Sequence, residues 1–301
     1  MSDPASPSPA GLRNPVGSHV PVGAGLVKGT MRTAAELGCE TVQVFLGNPR
    51  GWKASPGDPA ADAAYATASR EAGLRTFVHA PYLVNLGSPT AATYEKSVAT
   101  VAHNLGRAAA IGAEGLVVHT GSSVAEGGFD AGLRQVREGL LPLLDTLAEA
   151  GPAATAETAG TPRLLLEPTA GQGRSLCAGV EDLAAYLDAL DHHPMLGICL
   201  DTCHVFAAGA PLDETGGTTA TLDLLAEVSP RVPLVLVHAN DSKDPRGSMR
   251  DRHERIGEGS IGVGSFRELL AHPTTAGVPL ILETPDSNKD PAQVALLQSL
   301  R

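Results

Sequence analysis

The chain has 301 residues, and its 22 Lys and Arg stand against 33 Asp and Glu, a formal net charge of −11. With 43% hydrophobic and 18% charged residues it is long and apolar enough to bury a sizeable core, which excludes a disordered chain; its acidity argues against bulk, sequence-independent nucleic-acid binding. No apolar stretch nears the roughly 20 residues that span a bilayer, residues 1–14 lack the apolar centre of a secretory signal, and the four cysteines form no CxxC pair. No membrane association and a reducing cytoplasm are therefore expected.

Residues 1–14, MSDPASPSPAGLRN, read as a disordered Pro/Ser-rich tail. Residues 15–301 show no linker or second composition regime and are expected to form one domain. Short apolar runs alternate there with alanine-rich amphipathic stretches. A run at 18–22 precedes a helical stretch at 24–37, and 41–46 precedes 58–72. Runs at 75–79 and 115–119 precede helical stretches at 89–111 and 129–149, the latter spacing Leu133, Val136, Leu140, Leu141, Leu144 and Leu147 along one face. A loop-like stretch at 151–162 leads to the run at 163–167 and a helix at 180–190. The runs at 196–201, 233–238 and 279–283 precede helices at 218–227, 264–271 and 290–299. Eight strand–helix units predict an α/β protein, a (β/α)₈ TIM barrel, near the ~250 residues usual for that fold. Continuous runs such as LVLVH and LLLE suit parallel strands covered on both faces. A doubly wound sheet is disfavoured because no GxGxxG follows the first run; Gly23–Ala24–Gly25 lacks the third glycine.

The strand ends carry the chemistry. Runs three to eight end in His79, His119, Glu167, Asp201, His238 and Glu283. In a barrel these gather at the C-terminal mouth, where active sites of the fold sit. His204 follows Asp201 by three residues, and Asp251 and His253 stand two apart in a polar loop. Imidazole and carboxylate are donors that zinc and manganese accept, and four buried carboxylates would repel one another without cations. Nine donors suit two or three ions. One such residue at a strand end is usually a satisfied polar group; six in succession point to a site. His103, His192, His193 and His272 read as structural or solvent-facing; His19, on the first strand, is placed to line the pocket but is also read as structural, and Cys199 and Cys203 read as buried packing.

Several motifs are more specific. HAPYLVNLGS (79–88), VVHTGS (117–122), LLLEPTAGQG (164–173), LDTCHVFAAG (200–209), HANDSK (238–243), DRH (251–253) and LETP (282–285) resemble the endonuclease IV family of apurinic/apyrimidinic endonucleases over the chain after residue 15. The resemblance implies three zinc ions, with manganese accepted in one or more places. His79 and His119 would hold the first ion and share Glu167 with the second, which Asp201, His238 and Glu283 complete; His204, Asp251 and His253 would hold the third. It implies a monomer acting on duplex DNA with abasic sites or blocked 3′ ends, cutting 5′ to the lesion to leave a 3′-hydroxyl and a 5′-deoxyribose phosphate. The nucleophile would be hydroxide shared between ions, with Glu167 bridging and Glu283 orienting it. Arg50 in FLGNPRGWK and Tyr82–Leu83 would fill the gap in the base stack, and Lys243 would join a basic rim with Arg246, Arg250, Arg252 and Arg255. A sugar isomerase or epimerase on a related barrel would use only Glu167, Asp201, His238 and Glu283, leaving the other five donors idle. A noncatalytic damage binder would not need the full donor set.

Overall fold

The computed structural model describes residues 13–124, 127–155, 158 and 160–301. Residues 1–12, most of the expected tail, lie outside the described residues. Asn14 belongs to the folded body: it is buried, and its side-chain amide donates to the carbonyls of Val278, at 2.9 Å, and Thr275.

The elements run β1 (Val16–His19), α1 (Met31–Leu37), β2 (Thr41–Val44), α2 (Pro59–Glu71), β3 (Arg75–His79), α3 (Ala91–Ala110), β4 (Gly115–His119) and α4 (Gly128–Ala150). They continue β5 (Arg163–Glu167), α5 (Leu183–Ala189), β6 (Leu196–Asp201), α6 (Thr202–Ala208), α7 (Gly217–Val228), β7 (Leu234–His238), β8 (Asp241–Ser242) and β9 (His253–Glu254). The chain closes with α8 (Val263–Ala271), β10 (Leu280–Leu282) and α9 (Pro291–Ser299). Strands β1 to β7 and β10 form a closed parallel barrel in which β10 pairs with both β7 and β1. The expected TIM barrel is the fold observed. No helix among the described residues is long and apolar enough to cross a membrane.

Local chemistry accounts for several boundaries. Asp58 and Asp290 cap α2 and α9, accepting from the amides of Ala60 at 2.9 Å and Ala292 at 3.0 Å, each with a proline at the first helical position. The first strand lies two residues earlier than expected. Pro21 has no N–H, so the ladder stops with the Val20 amide bonded to the Gln43 carbonyl at 2.9 Å. The stretch expected as one helix at 24–37 begins with a π-turn, Leu26–Thr30, entered from Gly25 at φ 85°. Helix α6 was not expected: Asp201 caps it by accepting from the His204 amide at 2.9 Å, so the DTCH segment is the first turn of a helix.

Strand alternation builds the barrel interior. Phe77, Val117, Leu165, Cys199, Leu236 and Ile281, one from each of six strands, pack into a fully buried cluster. Two residues further along each strand direction come His79, His119, Glu167, Asp201, His238 and Glu283. The period of two sends both sets inward, apolar below and polar above.

The segment after β7 folds around Asp241. Its buried carboxylate accepts from the amides of Ser242 and Ile261 at 2.8 Å, Gly257 at 2.9 Å, Gly262 at 3.2 Å and Gly259 at 3.3 Å. A Cβ on Gly259 would come within 2.5 Å of Asp241 Oδ1. Asp241→Asn puts a donor where an acceptor is needed, and each buried amide left without a partner costs about 1–3 kcal/mol. We expect a loss of about 3 kcal/mol or more, read from the urea midpoint; an unchanged midpoint contradicts this account of the loop.

Candidate metal centre

The nine expected donors converge at the C-terminal mouth. Glu167 is at their centre: its Oε2 lies 3.2 Å from His79 Nε2 and 3.3 Å from His119 Nε2, and its Oε1 lies 2.9 Å from His238 Nδ1. Glu283 Oε2 is 3.2 Å and Asp201 Oδ2 3.8 Å from the same His238 nitrogen. Asp251 Oδ1 lies 3.3 Å from His204 Nε2 and 3.0 Å from His253 Nε2, and His253 Nε2 is 3.5 Å from Asp201 Oδ2. Five sets among the described residues have donor atoms within 4.8 Å of one another; two include Cys199 or Cys203, and the other three are His79, His119 and Glu167; Glu167, Asp201, His238 and Glu283; and Asp201, His204 and His253. They share Glu167 and Asp201.

The imidazoles are oriented as ligands require. His79 Nδ1 faces the Ala80 carbonyl at 2.7 Å, His204 Nδ1 the Pro168 carbonyl at 3.0 Å, and His253 Nδ1 the Glu283 carbonyl at 3.3 Å. In each, Nδ1 donates to a carbonyl, so the neutral ring presents its Nε2 lone pair to the cluster; His204 Nδ1 also lies 3.4 Å from Glu167 Oε1. His253 Nε2 is buried without an aligned hydrogen-bond partner among the described residues, although two carboxylates lie beside it. Lone pairs and carboxylate oxygens converging on common points repel unless cations lie among them. The residues therefore fit divalent cations, at one to three positions.

In the metal-free protein protons do that work. Burial opposes charge on His204 and His238, but Asp201, Asp251 and Glu167 around His204, and Cys199, Glu283 and Glu167 around His238, raise both pKa values well above the usual range. His253 is held up at about 9, burial being outweighed by Asp201, Asp251 and Glu283. Desolvation opposes charge on buried Glu167, half-buried Glu283 and the more exposed Asp251, yet adjacent imidazoles hold all three well below ordinary carboxylates. The lowered carboxylates stabilise the fold above about pH 4.5 and lose that effect on acidification. The raised imidazoles stabilise it fully below about pH 6.5 and lose that effect as pH rises through about 9. Metal-free protein is thus expected to be most stable between these limits and weaker at pH 9. With divalent cations the high-pH decline should vanish, because binding needs deprotonated rings. Thermal unfolding with and without chelator from pH 5.5 to 9 measures this; metal-free protein equally stable at pH 6 and 9 contradicts it.

Asn240 and Gln43, not singled out in the sequence, complete the site, together with His19, read from the sequence as structural and placed by the structure against Glu283. Asn240 donates to Asp201 Oδ2 at 2.8 Å and accepts from the Glu283 amide at 2.8 Å. Gln43 reaches Glu283 and His238, and His19 Nδ1 lies 3.3 Å from Glu283 Oε1. Their only signal in the sequence is a polar residue at an inward or strand-end position. Cys199 packs in the inner cluster, and burial pushes its thiol up to about 12.

The expected DNA-facing residues lie around the mouth. Tyr82 is 50% and Leu83 36% exposed, large apolar groups left open to solvent. The Tyr82 ring lies 5.2 Å from Phe45 and 5.6 Å from His79, and its amide donates to the Pro49 carbonyl at 2.9 Å, tying this loop to the exposed one carrying Arg50. The basic rim is thinner than expected. Arg246 pairs with Glu214 at 2.6 Å, Arg250 and Arg252 pair with Asp244, and Arg255 pairs with Asp290 at 3.0 Å. Lys243, Arg50 and Lys53 are exposed and make no ion pair among the described residues.

Comparison with known proteins agrees with this geometry. The profile of the xylose isomerase-like TIM barrel family matches residues 31–301. A Streptomyces coelicolor protein named probable endonuclease 4 is 50% identical over 298 residues, covering 99% of this chain and 98% of that protein. The crystal structure of endonuclease IV from Thermus thermophilus superposes with a TM-score of 0.75 at 36% identity, covering 93% of this chain and 95% of that one. A D-tagatose 3-epimerase-like protein superposes with a TM-score of 0.65 at 17% identity, covering 95% and 97%, a likeness of fold alone.

Proposed function

The chain belongs to the xylose isomerase-like TIM barrel family and, within it, to the endonuclease IV family, and we propose that it is a DNA-repair endonuclease. It hydrolyses the phosphodiester 5′ to an abasic site in duplex DNA, leaving a 3′-hydroxyl and a 5′-deoxyribose phosphate, and trims blocked 3′ ends. The observation that carries this reading is the gathering of eight donors into three sets that share Glu167 and Asp201, with Asp251 3.0 Å from His253, beside half-exposed Tyr82 and Leu83.

The imidazole-rich donors suit zinc, three ions per chain, and the shared carboxylates admit manganese. His79, His119 and Glu167 would hold one ion; Glu167, Asp201, His238 and Glu283 the second; His204, Asp251 and His253 the third. Bound zinc would supply a water acidified toward pKa ~7 and positive charge against the phosphoryl oxygens. The rest falls to the chain's own groups. Glu283, held at Oε1 by Gln43, orients the attacking water and takes its proton. Glu167 holds four imidazoles around one carboxylate, keeping the sets in fixed relation. Tyr82, Leu83 and Arg50 fill the gap left by the extruded lesion, whose missing base lowers the unstacking cost. Lys243 contacts phosphate, so affinity falls with salt. The protein acts as a cytoplasmic monomer.

The sugar-enzyme reading needs one cation and four of these donors; it gives His79, His119, His204, Asp251 and His253 no role. A duplex oligonucleotide with one abasic analogue separates the readings. We expect nicking 5′ to the analogue, lost on chelation and restored by zinc. Binding without nicking favours a damage binder, and neither nicking nor preferential binding removes the nuclease reading.

A further inference from the structure

Gln43 is fully buried on β2, and both ends of its amide are engaged by the site. Its Nε2 lies 2.7 Å from Glu283 Oε1 and 3.0 Å from His19 Nδ1, and its Oε1 lies 2.8 Å from His238 Nε2. Glu283 determines which way the amide points. Turned over, the amide would press its oxygen against a carboxylate oxygen, so the nitrogen donates to Glu283 and the oxygen must accept. His238 therefore carries a proton on Nε2. In the neutral ring the lone pair is then on Nδ1, the atom facing Glu167 Oε1, Glu283 Oε2 and Asp201 Oδ2 at 2.9, 3.2 and 3.8 Å. The same amide restrains Glu283 Oε1 and leaves Oε2 turned to that point.

We infer that Gln43 is a positioning residue for the second cation: it holds His238 in the Nε2–H form and tethers Glu283, so that both offer free donors to one place. This rests on the cation-binding reading above. The neighbours of Gln43 on β2, Val42 and Val44, are apolar, and a buried amide is unfavourable unless its hydrogen bonds are made. Among the described residues, all the hydrogen bonds of this side chain go to the site and none to the barrel backbone. Partners of this kind, which orient a ligand without touching the metal, typically change metal affinity about 10–100-fold when lost.

The test compares zinc-loaded wild type with Gln43→Met and Gln43→Glu. It measures ions retained per chain against rising chelator, the His238 ring N–H by long-range ¹H–¹⁵N NMR, and thermal unfolding of the metal-free proteins. Wild type should show one Nε2–H signal for His238. Gln43→Met should lose that restrained signal and release one ion at about 10–100-fold lower chelator. Gln43→Glu keeps an acceptor for His238 but sets a carboxylate against Glu283, so the signal should stay while the ion is still lost. A Met variant that holds every ion as tightly as wild type overturns the inference. So does one that loses metal-free stability with unchanged ion affinity, which marks a structural role. Wild type that binds no ion overturns the cation reading itself, a result distinguishable from either.

Discussion

Glu283→Gln should lower the rate of nicking on an abasic duplex by about 10²–10⁴-fold, the range that a positioned general base supplies, with DNA affinity nearly unchanged. The carboxylate sits where β10 ends, with Oε1 bound to Gln43 at 2.7 Å and Oε2 3.2 Å from His238 Nδ1. The His238 charge and the hydrogen bond to His19 overcome its burial and keep it ionised. A carboxamide preserves the shape but cannot take a proton, and its N–H₂ must face either the Gln43 amide or the cation position. The side chain lies inside the mouth, away from the exposed Tyr82, Leu83 and Lys243 that would meet DNA. Turnover at saturating zinc and DNA affinity by fluorescence anisotropy should therefore separate. Equal losses in both would remove the proposed role of Glu283 in proton transfer.

Glu167→Gln should be more severe, because this side chain holds two donor sets together. Its two oxygens lie within 3.4 Å of ring nitrogens of His79, His119, His204 and His238, and the side chain is 1% exposed. Removing its charge leaves the raised imidazoles of His204 and His238 with less negative charge around them. Breaking a buried charge set in this way costs about 3–5 kcal/mol, which should appear as a lower denaturation midpoint of the metal-free protein at pH 6. Metal affinity should fall beyond the ~10–100-fold typical of an outer partner, with one or two ions missing per chain by elemental analysis and nicking lost. Full metal content in this variant would show that Glu167 is not shared between cations.

The donor set was legible because strand alternation is local. His79, His119, Glu167, Asp201, His238 and Glu283 each follow an inward apolar residue by two positions, so placing the strands placed the donors. Gln43 shares the inward alternation but follows Thr41 rather than an apolar residue, and it was not read from TVQVF, since one polar residue in an apolar run is more often incidental. Its role exists only because barrel closure brings β2 to face β7 and β10, 195 and 240 residues away for His238 and Glu283. The arginine pairings were beyond reach of the sequence for a related reason. The partners of Arg246 and Arg255 are Asp213, Glu214 and Asp290, and charge along a segment does not reveal which charges fold against it.

The amino-acid sequence by itself determined the eight-unit barrel, the donor types and their arrival at one end of it, because hydrophobic period and residue chemistry act within a few neighbours. Tertiary structure alone decided which donors lie within reach of one another, how each imidazole is turned, and which arginines are already paired. Those outcomes depend on distances of about 3 Å between strands far apart in the chain, and only closure of the parallel sheet sets them.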